Sequence, residues 1–405
     1  MTNEQWEKDF GPHHIGDRDF LIVGIITFVI ISLFLHEPIL YVVIGVLLTY
    51  LMINIVYNRT VGKKLYMDPK RQTIRLFQGD ESELSFELEN DGLLPMIHGQ
   101  FRFQTTSVIK ALEGDVTTEE QAYAFHKTFS IRGKGKTIVY FPFVADRRGV
   151  ARVRNITYSF PHLFNFNVLT LKYLPFTLRE VVVFPKPLKV DHVDIAFQMA
   201  PGEHRVQLSP FEDVLSPIST RDYEYSDPFY RINWKASAKT QELQTNVYEK
   251  VVDTSYLFLV NIRPNKDILH LSENLENVLS YTTYICQQAF ENDVPYELFV
   301  NARTASEVPF LQLPEGSGQT HYLRSLEMLA RIPRHSMTYS FAEMIYRVKK
   351  QVSAPKTVVI IGDIPEEAKE LLAKWSQRQK DIYQVVPYED GAVMEKWDGD
   401  VRLYA

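Results

Sequence analysis

The chain has 405 residues, which at about 150 residues per domain predicts two or three domains. Its 44 Lys and Arg residues are outnumbered by 50 Asp and Glu residues, so the formal charge is −6 and the basic excess typical of nucleic-acid-binding proteins is absent. A single cysteine, Cys286, excludes an intramolecular disulfide and a multi-cysteine metal site, and it suits a reducing compartment. The mean hydropathy of −0.17 is that of a soluble protein, but the apolar residues are concentrated near the N-terminus.

Residues 20–58 contain a single charged side chain, that of Glu37. Two apolar runs, 20–35 and 39–57, flank residues 36–38, where a proline beside a charge predicts a tight turn. Each run approaches the roughly 20 residues that a helix needs to cross a ~30 Å hydrocarbon layer. We therefore predict a transmembrane helical hairpin. The alternatives are a signal peptide followed by a core helix, or a re-entrant loop.

Basic residues flank both outer ends of the predicted hairpin, and its turn carries none. These residues are Lys8 and Arg18 before it, and Arg59, Lys63 and Lys64 after it. The positive-inside rule then places both ends in the cytoplasm. We predict a cell-membrane protein with two spanning helices, a cytoplasmic N-terminal segment over residues 1–19, and the bulk of the chain in the cytoplasm.

Residues 65–185 read as β structure, because polar and apolar residues alternate with a period of two between turn signals. The predicted strands are 73–77, 83–89, 137–144, 150–160 and 181–184. Several short strands without intervening helices predict a β-sandwich as the middle domain.

Residues 186–250 lack a strong periodicity and are predicted to form an irregular linker, whereas residues 251–405 follow an α/β pattern. Nearly continuous apolar runs are typical of strands covered on both faces, and they occur at 256–262, 296–300, 357–361 and 382–386. Apolar residues at helical spacing lie between the first two runs. An open, mostly parallel sheet with helices on both faces is the predicted architecture.

One helix of this region has a clear predicted start, because Asp363 is a suitable cap and Pro365 suits a first turn. Its apolar stripe, predicted to pack on the sheet, consists of Ala368, Leu371, Leu372 and Trp375.

Known catalytic patterns are absent from the sequence. Residues 130–137 (SIRGKGKT) resemble a phosphate-binding loop but lack its first glycine and precede an extended run, so a basic hairpin turn is the better interpretation. No His/Cys cluster has metal-ligand spacing, and Cys286 lies on an apolar helix face. We predict no enzymatic activity, no cofactor and no nucleic-acid partner.

The most distinctive stretch is residues 219–239, which packs Arg, Asp, Tyr, Trp and Lys densely. Its candidate residues are Arg221, Tyr223, Asp227, Arg231, Trp234 and Lys235. One interpretation is a structural network in which Asp227 pairs with Arg221 or Arg231 and Trp234 anchors the segment on a domain. The other is a docking surface or pocket, because Arg, Tyr and Trp dominate binding hot spots. Both remain open at this point.

This stretch resembles the signature of the family catalogued as domain of unknown function 58, R-E-Y-x-x-G-D-D-x-R-R-I-x-W-K-A-x-A-R. The matching positions are Arg221, Tyr223, Asp227, Arg231, Ile232, Trp234, Lys235, Ala236 and Ala238, and the departures are Asp222, Ser226, Pro228, Tyr230 and Lys239. The resemblance extends to the predicted hairpin, the β-rich middle and the α/β C-terminal region, so it covers most of the chain.

The C-terminal part of that family is similar to the von Willebrand factor A domain, which often binds Mg²⁺ through D-x-S-x-S after the first strand. The matching positions here are Asn261, Arg263 and Asn265, with Asp363 where some such domains keep an acidic ligand. The lost carboxylate and the cation of Arg263 oppose a divalent ion, so we predict a degenerate site without metal.

The resemblance implies a multidomain α+β protein with a transmembrane hairpin, a β-sandwich and a von Willebrand factor A-like domain. Relatives are often encoded beside MoxR-type AAA+ ATPases and are thought to act in protein assembly or maturation. A membrane-anchored scaffold or adaptor is the leading expectation. The alternatives are a hydrolase with Asp227 as base and Arg221 or Arg231 stabilising an anion, and a cell-envelope structural protein.

Overall fold

The structure is a computed structural model, and it describes residues 5–9, 14–35, 37–69, 71–112, 115–119, 122–164, 167–175, 179–197, 212–250, 255–263, 271–352, 354–377, 381–388 and 391–398. The chain divides into two compact units, Met1–Pro185 and Lys186–Ala405. It is a strand-rich α+β protein with several sheets, which confirms the predicted fold class at this level.

The first unit begins with strand β1 (Trp6–Asp9), followed by helices α1 (His14–Phe34) and α2 (Pro38–Thr60). Helix α2 is long and apolar enough to cross a membrane, and no residue of its most apolar stretch is buried. The apolar part of α1, Asp19–Phe34, is shorter. Pro38 stands in the first turn of α2, where its missing N–H costs nothing.

The remaining strands of the first unit are β2 (Leu65–Met67), β3 (Gln72–Phe77), β4 (Glu81–Asn90), β5 (Met96–Thr106), β6 (Ile109–Ala111), β7 (Asp115–Glu119), β8 (Ala122–Ile131), β9 (Gly135–Ala145), β10 (Gly149–Arg152), β11 (Arg154–Pro161), β12 (Val168–Tyr173) and β13 (Arg179–Phe184). They form a six-stranded sheet in the order β1-β12-β11-β5-β8-β7, a four-stranded sheet β2-β4-β9-β6 and a three-stranded sheet β10-β13-β3.

The larger two sheets share one aromatic core. The ring of Phe86 on β4 lies 5.1 Å from those of Phe101 and Phe103 on β5 and 5.7 Å from that of Phe141 on β9. The period-two alternation explains this packing, because every second side chain of β4, including Phe86, points inward.

Two local predictions for this unit need correction, and one strand was not predicted. Residues 150–160 form two strands, because Val153 bonds to Arg179 of β13 while β11 pairs with β5, so the chain changes sheets there. The predicted hairpin turn within 130–137 joins β8 and β9, which belong to different sheets. The N-terminal segment contributes β1 to the larger sheet, where buried Trp6 packs on Tyr173.

The second unit contains strands β14 (Val190–Asp191), β15 (Glu212–Asp222), β16 (Gln244–Lys250), β17 (Tyr256–Val260), β18 (Tyr296–Arg303), β19 (Phe310–Gly316), β20 (Thr357–Ile361), β21 (Ile382–Tyr388) and β22 (Gly391–Lys396). Its helices are α3 (Val193–Phe197), α4 (Trp234–Thr240), α5 (Leu271–Glu291), α6 (Gly318–Ala330), α7 (Phe341–Gln351) and α8 (Glu366–Ser376).

A seven-stranded sheet runs through this unit in the order β14-β22-β21-β20-β17-β18-β19. Strands β17, β18, β20 and β21 are parallel, whereas β19 and β22 run antiparallel to their neighbours β18 and β21. Phe258 of β17 belongs to one hydrophobic core and Leu259 to another, on the opposite face. Burial on both faces explains the uninterrupted apolar runs.

Helix α8 starts later than predicted. It begins at Glu366 with Pro365 as N-cap, and no side chain caps it, so the prediction that Asp363 is the cap is wrong. The predicted stripe is confirmed, because Ala368, Leu372 and Trp375 are buried against the sheet core.

Candidate functional site

The segment predicted to be an irregular linker contains a two-stranded ribbon. Strands β15 and β16 are antiparallel, with Arg221 opposite Thr245 and Asp222 opposite Gln244. Between them lie a 3₁₀ turn, Phe229–Arg231, and helix α4. The sequence did not predict this ribbon, because apolar and polar residues do not alternate in either strand.

Arg221 and Asp227 form the charged centre of the signature. The Arg221 Nη2 donates to Asp227 Oδ1 at 2.7 Å, and the Glu224 backbone N–H donates to Oδ2 at 3.0 Å. Both donors favour the ionised carboxylate, so the pKa of Asp227 is held below its usual range. Of the two arginines considered as partners, the structure places Arg221 on Asp227.

The peptide around this ion pair is also fixed. The Tyr223 hydroxyl donates to the Asp227 carbonyl at 3.1 Å. Asn233, which the sequence reasoning missed, caps α4 by accepting from the Ala236 N–H at 3.0 Å, and its Nδ2 donates to Asn246 Oδ1 at 2.8 Å. An asparagine directly before a helix is an N-cap signal and could have been recognised.

Four other aromatic side chains of this segment are largely exposed. We call the set Tyr225, Phe229, Tyr230 and Trp234 the aromatic surface, and its residues are 101%, 75%, 72% and 68% exposed. The interpretation that Trp234 anchors the segment on a domain is therefore wrong. Lys235 is exposed beside it on α4, and the Arg231 guanidinium lies 5.8 Å from the centre of the Tyr230 ring.

The positions matching the metal site hold an amide cluster. Asn261 follows β17, and its Oδ1 accepts from the Arg263 N–H at 3.0 Å and from Asn301 Nδ2 at 2.7 Å. Its Nδ2 donates to the Asp363 carbonyl at 2.6 Å. Asn301 Oδ1 accepts from the Ile262 N–H at 2.8 Å. Both asparagines are buried, and their oxygens are already used by protein donors.

Gly362 permits this close approach. Its φ is +100°, and a Cβ there would lie 2.3 Å from the Asn261 carbonyl oxygen. Arg263 is exposed, and Asn265 lies outside the described residues. Within the described ranges, no group of three or more His, Cys, Asp or Glu side chains could hold a metal ion.

The thiol of Cys286 is buried within α5. Burial raises its pKa to about 12. A protonated thiol inside the core is a poor nucleophile, so the packing interpretation of this residue agrees with its surroundings.

No protein-family model and no curated protein matches the sequence. Solved structures similar to parts of the chain include a non-cellulosomal cohesin from the hyperthermophilic archaeon Archaeoglobus fulgidus, at 13% identity over 27% of this chain and 86% of that chain, with a TM-score of 0.19. A PapD-like domain of human CEP192 matches at 15% identity over 30% of this chain and 83% of its own, with a TM-score of 0.16. A GH20 exo-β-N-acetylglucosaminidase from Vibrio harveyi matches at 7% identity over 78% of this chain and 72% of its own, with a TM-score of 0.19. Scores this low carry no argument about fold or function.

Proposed function

We propose that this chain is a non-enzymatic adaptor of the cell membrane, held by a two-helix hairpin with both units in the cytoplasm, and that its aromatic surface binds a partner protein. The resemblance to the domain of unknown function 58 family points to a MoxR-type AAA+ ATPase as that partner, in protein assembly or maturation. The observation that carries the docking role is the exposure of four large aromatic side chains on an ordered segment.

Exposed rings are costly to keep in water, and they stabilise a complex when a partner covers them. Here the ribbon, the ion pair and the Asn233 cap fix the backbone that carries the rings. A fixed backbone loses less conformational entropy on association, so more of the contact energy appears as affinity. Tyr and Trp are also the residue types that dominate hot spots.

The first unit supports the hairpin. Strand β1 precedes α1 and strand β2 follows α2, and both pair with strands of this unit. The Lys8 ammonium also donates to the Asn58 carbonyl near the end of α2, at 2.9 Å. Because both strands belong to one folded unit, both ends of the α1–α2 segment lie on the same side of the membrane. The segment therefore crosses the membrane an even number of times, and α1 would form a second, shorter span beside α2.

The second unit agrees in architecture with the von Willebrand factor A-like assignment, because parallel strands form the centre of a sheet covered on both faces. In such a domain, Asn261 would occupy the position of the Asp that begins the D-x-S-x-S metal motif. The Asn261–Asn301 amide pair supports a degenerate site, since a divalent ion would have to displace N–H donors from the amide oxygen.

The hydrolase alternative receives little support from the geometry. A general base needs a pKa near the operating pH and a free oxygen facing its substrate. Asp227 has a lowered pKa, and each of its oxygens accepts a hydrogen bond from the protein. A cell-envelope structural role would differ from the adaptor role mainly in the partner.

Binding of a purified MoxR-type AAA+ ATPase tests the docking role. We expect Tyr230→Ala and Trp234→Ala each to weaken binding of the purified ATPase about 30-fold, which corresponds to the ~2 kcal/mol of a hot-spot ring. Tyr346→Ala is the matched control, because Tyr346 is a half-exposed aromatic residue on α7. Equal affinities for all three variants would rule out the aromatic surface as the site.

Cysteine labelling in intact cells tests the hairpin. Glu37→Cys lies between α1 and α2 and should react with a membrane-impermeant maleimide from outside, whereas Tyr225→Cys should react only after permeabilisation. Cys286 gives no background because it is buried. Labelling of Tyr225→Cys but not of Glu37→Cys in intact cells would reverse the proposed orientation, and labelling of neither before permeabilisation would argue against two spans.

A further inference from the structure

The turn between β11 and β12 packs along helix α2. The Tyr50 hydroxyl donates to the Phe164 carbonyl at 2.8 Å. Two turns further along the helix, the Tyr57 ring lies 4.4 Å from the His162 ring and 5.4 Å from the Phe164 ring. His162 Nε2 is 3.0 Å from Asn58 Oδ1. The described part of this turn therefore follows α2 from Tyr50 to Asn58.

Several backbone groups in the described part of this turn are hydrogen-bonded, whereas two of its apolar side chains are partly exposed. The His162 N–H donates to the Asn167 carbonyl at 2.8 Å, and the Phe164 N–H donates to His162 Nδ1 at 3.1 Å. Because Nδ1 accepts, Nε2 carries the ring proton and donates to Asn58. Leu163 and Phe164 are nevertheless each 42% exposed. A segment at the edge of a bilayer has little water to bond to, so its backbone groups need partners within the protein, and its exposed apolar side chains can contact lipid.

The helices indicate the depth of this turn. In the proposed hairpin, Phe20 and Ile53 lie level with each other, since each is sixteen residues from the turn at 36–37. The apolar run of α1 ends at Phe20, next to the charged Asp19, so the hydrocarbon layer, thinned to about 24 Å around this short span, ends near Ile53. Tyr50 then lies about 5 Å inside that boundary and Tyr57 about 6 Å outside it. The turn packed on both tyrosines spans the boundary between hydrocarbon and headgroups.

We infer that Leu163 and Phe164 form an interfacial anchor that inserts into the phospholipid bilayer at this boundary. The inference rests on the proposed hairpin and adds a second membrane contact, made by the β-rich unit itself. Insertion removes two half-exposed apolar side chains from water, and Tyr50 and Tyr57 occupy the level at which aromatic residues accumulate in membrane proteins. Through this contact the bilayer fixes the orientation of the first unit.

Quenching by lipids tests the anchor in the full chain reconstituted into phospholipid nanodiscs. Leu163→Cys is labelled with a fluorophore, and the nanodiscs contain lipids with a nitroxide at the top of the acyl chain. Phe164→Cys is a second reporter in case the first variant misfolds. Leu112→Cys is the matched control, because Leu112 is 45% exposed and its backbone bonds to Pro142. Gly135 at the start of β9 lies level with Leu65, where β2 begins after α2, because both pair with Asn90 of β4. Pro142 is seven residues further along β9, about 23 Å from that level.

We expect quenching of the 163 or 164 label to be several-fold stronger than that of the 112 label. Val46→Cys, in the middle of α2, reports on the hairpin separately, in nanodiscs whose lipids carry the nitroxide near the end of the acyl chain. Strong quenching at 46 with equally weak quenching at 163, 164 and 112 would overturn the anchor and leave the hairpin intact. Weak quenching at 46 as well would reject both the hairpin and the anchor.

Discussion

Asn301→Ala is expected to lower the unfolding midpoint of the second unit by about 10 °C, which corresponds to about 3 kcal/mol. The substitution removes the Nδ2 donor of Asn261 Oδ1, and it leaves the buried Ile262 N–H and the Tyr339 carbonyl without their Asn301 partners. Unsatisfied buried polar groups cost about 1–3 kcal/mol each, and a cavity adds to that cost.

The measurement is thermal unfolding of the detergent-solubilised chain, with hydrogen exchange of peptides from β17 and β18 to assign the transition. Asn292→Ala is the control, because Asn292 is exposed and its Nδ2 makes one bond to the Gln288 carbonyl within the end of α5. A midpoint for Asn301→Ala no lower than that of the control would show that the amide pair adds no stability.

Phe86→Ala is expected to destabilise the first unit by about 4 kcal/mol, the usual cost of removing a fully buried phenyl ring. Phe86 contacts three other rings across the core, and the Arg179 guanidinium lies 4.6 Å from its centre. Arg179 is buried and donates to the carbonyls of Ser85 and Asp68, so loss of the ring also removes a packing partner of a buried cation.

Hydrogen exchange of β4, β5 and β9 peptides in the detergent-solubilised chain checks this expectation. Tyr140→Ala is the control, because Tyr140 lies on β9 with its side chain on the outer face and is 45% exposed. We expect fast exchange across both sheets in Phe86→Ala and little change in Tyr140→Ala. Similar exchange in the two variants would mean that the aromatic cluster is not the centre of the core.

Residues close in sequence allowed the most reliable predictions. The run 39–57 predicted an apolar helix because helix length and hydrophobicity follow directly from the chain. The run 357–361 predicted a buried strand for the same reason. The failures were local as well. A strand as short as β1 has too few residues for a pattern, and α8 begins after Pro365 and not at the predicted cap, Asp363.

The sites depended on partners distant in sequence. The signature showed that Asp227 had two candidate arginines, but only the turn after β15 decided that Arg221 pairs with it. The sequence also allowed Trp234 to be either buried or exposed. The structure exposes Trp234 at the first position of α4, and a composition of mixed charged and aromatic residues does not decide which of its side chains are buried.

The lone cysteine excluded an intramolecular disulfide and the −6 charge excluded a basic excess from the start, and the apolar runs set the long apolar helix α2 and the buried strands. Those properties depend on single residues or short runs, so the sequence by itself determined them. Only the tertiary structure decided that Asn261 meets Asn301, forty residues away, and that the turn at His162 packs on Asn58. Each of these contacts forms only when the fold brings two distant segments together. A local sequence pattern contains no information on which distant residue will be the partner.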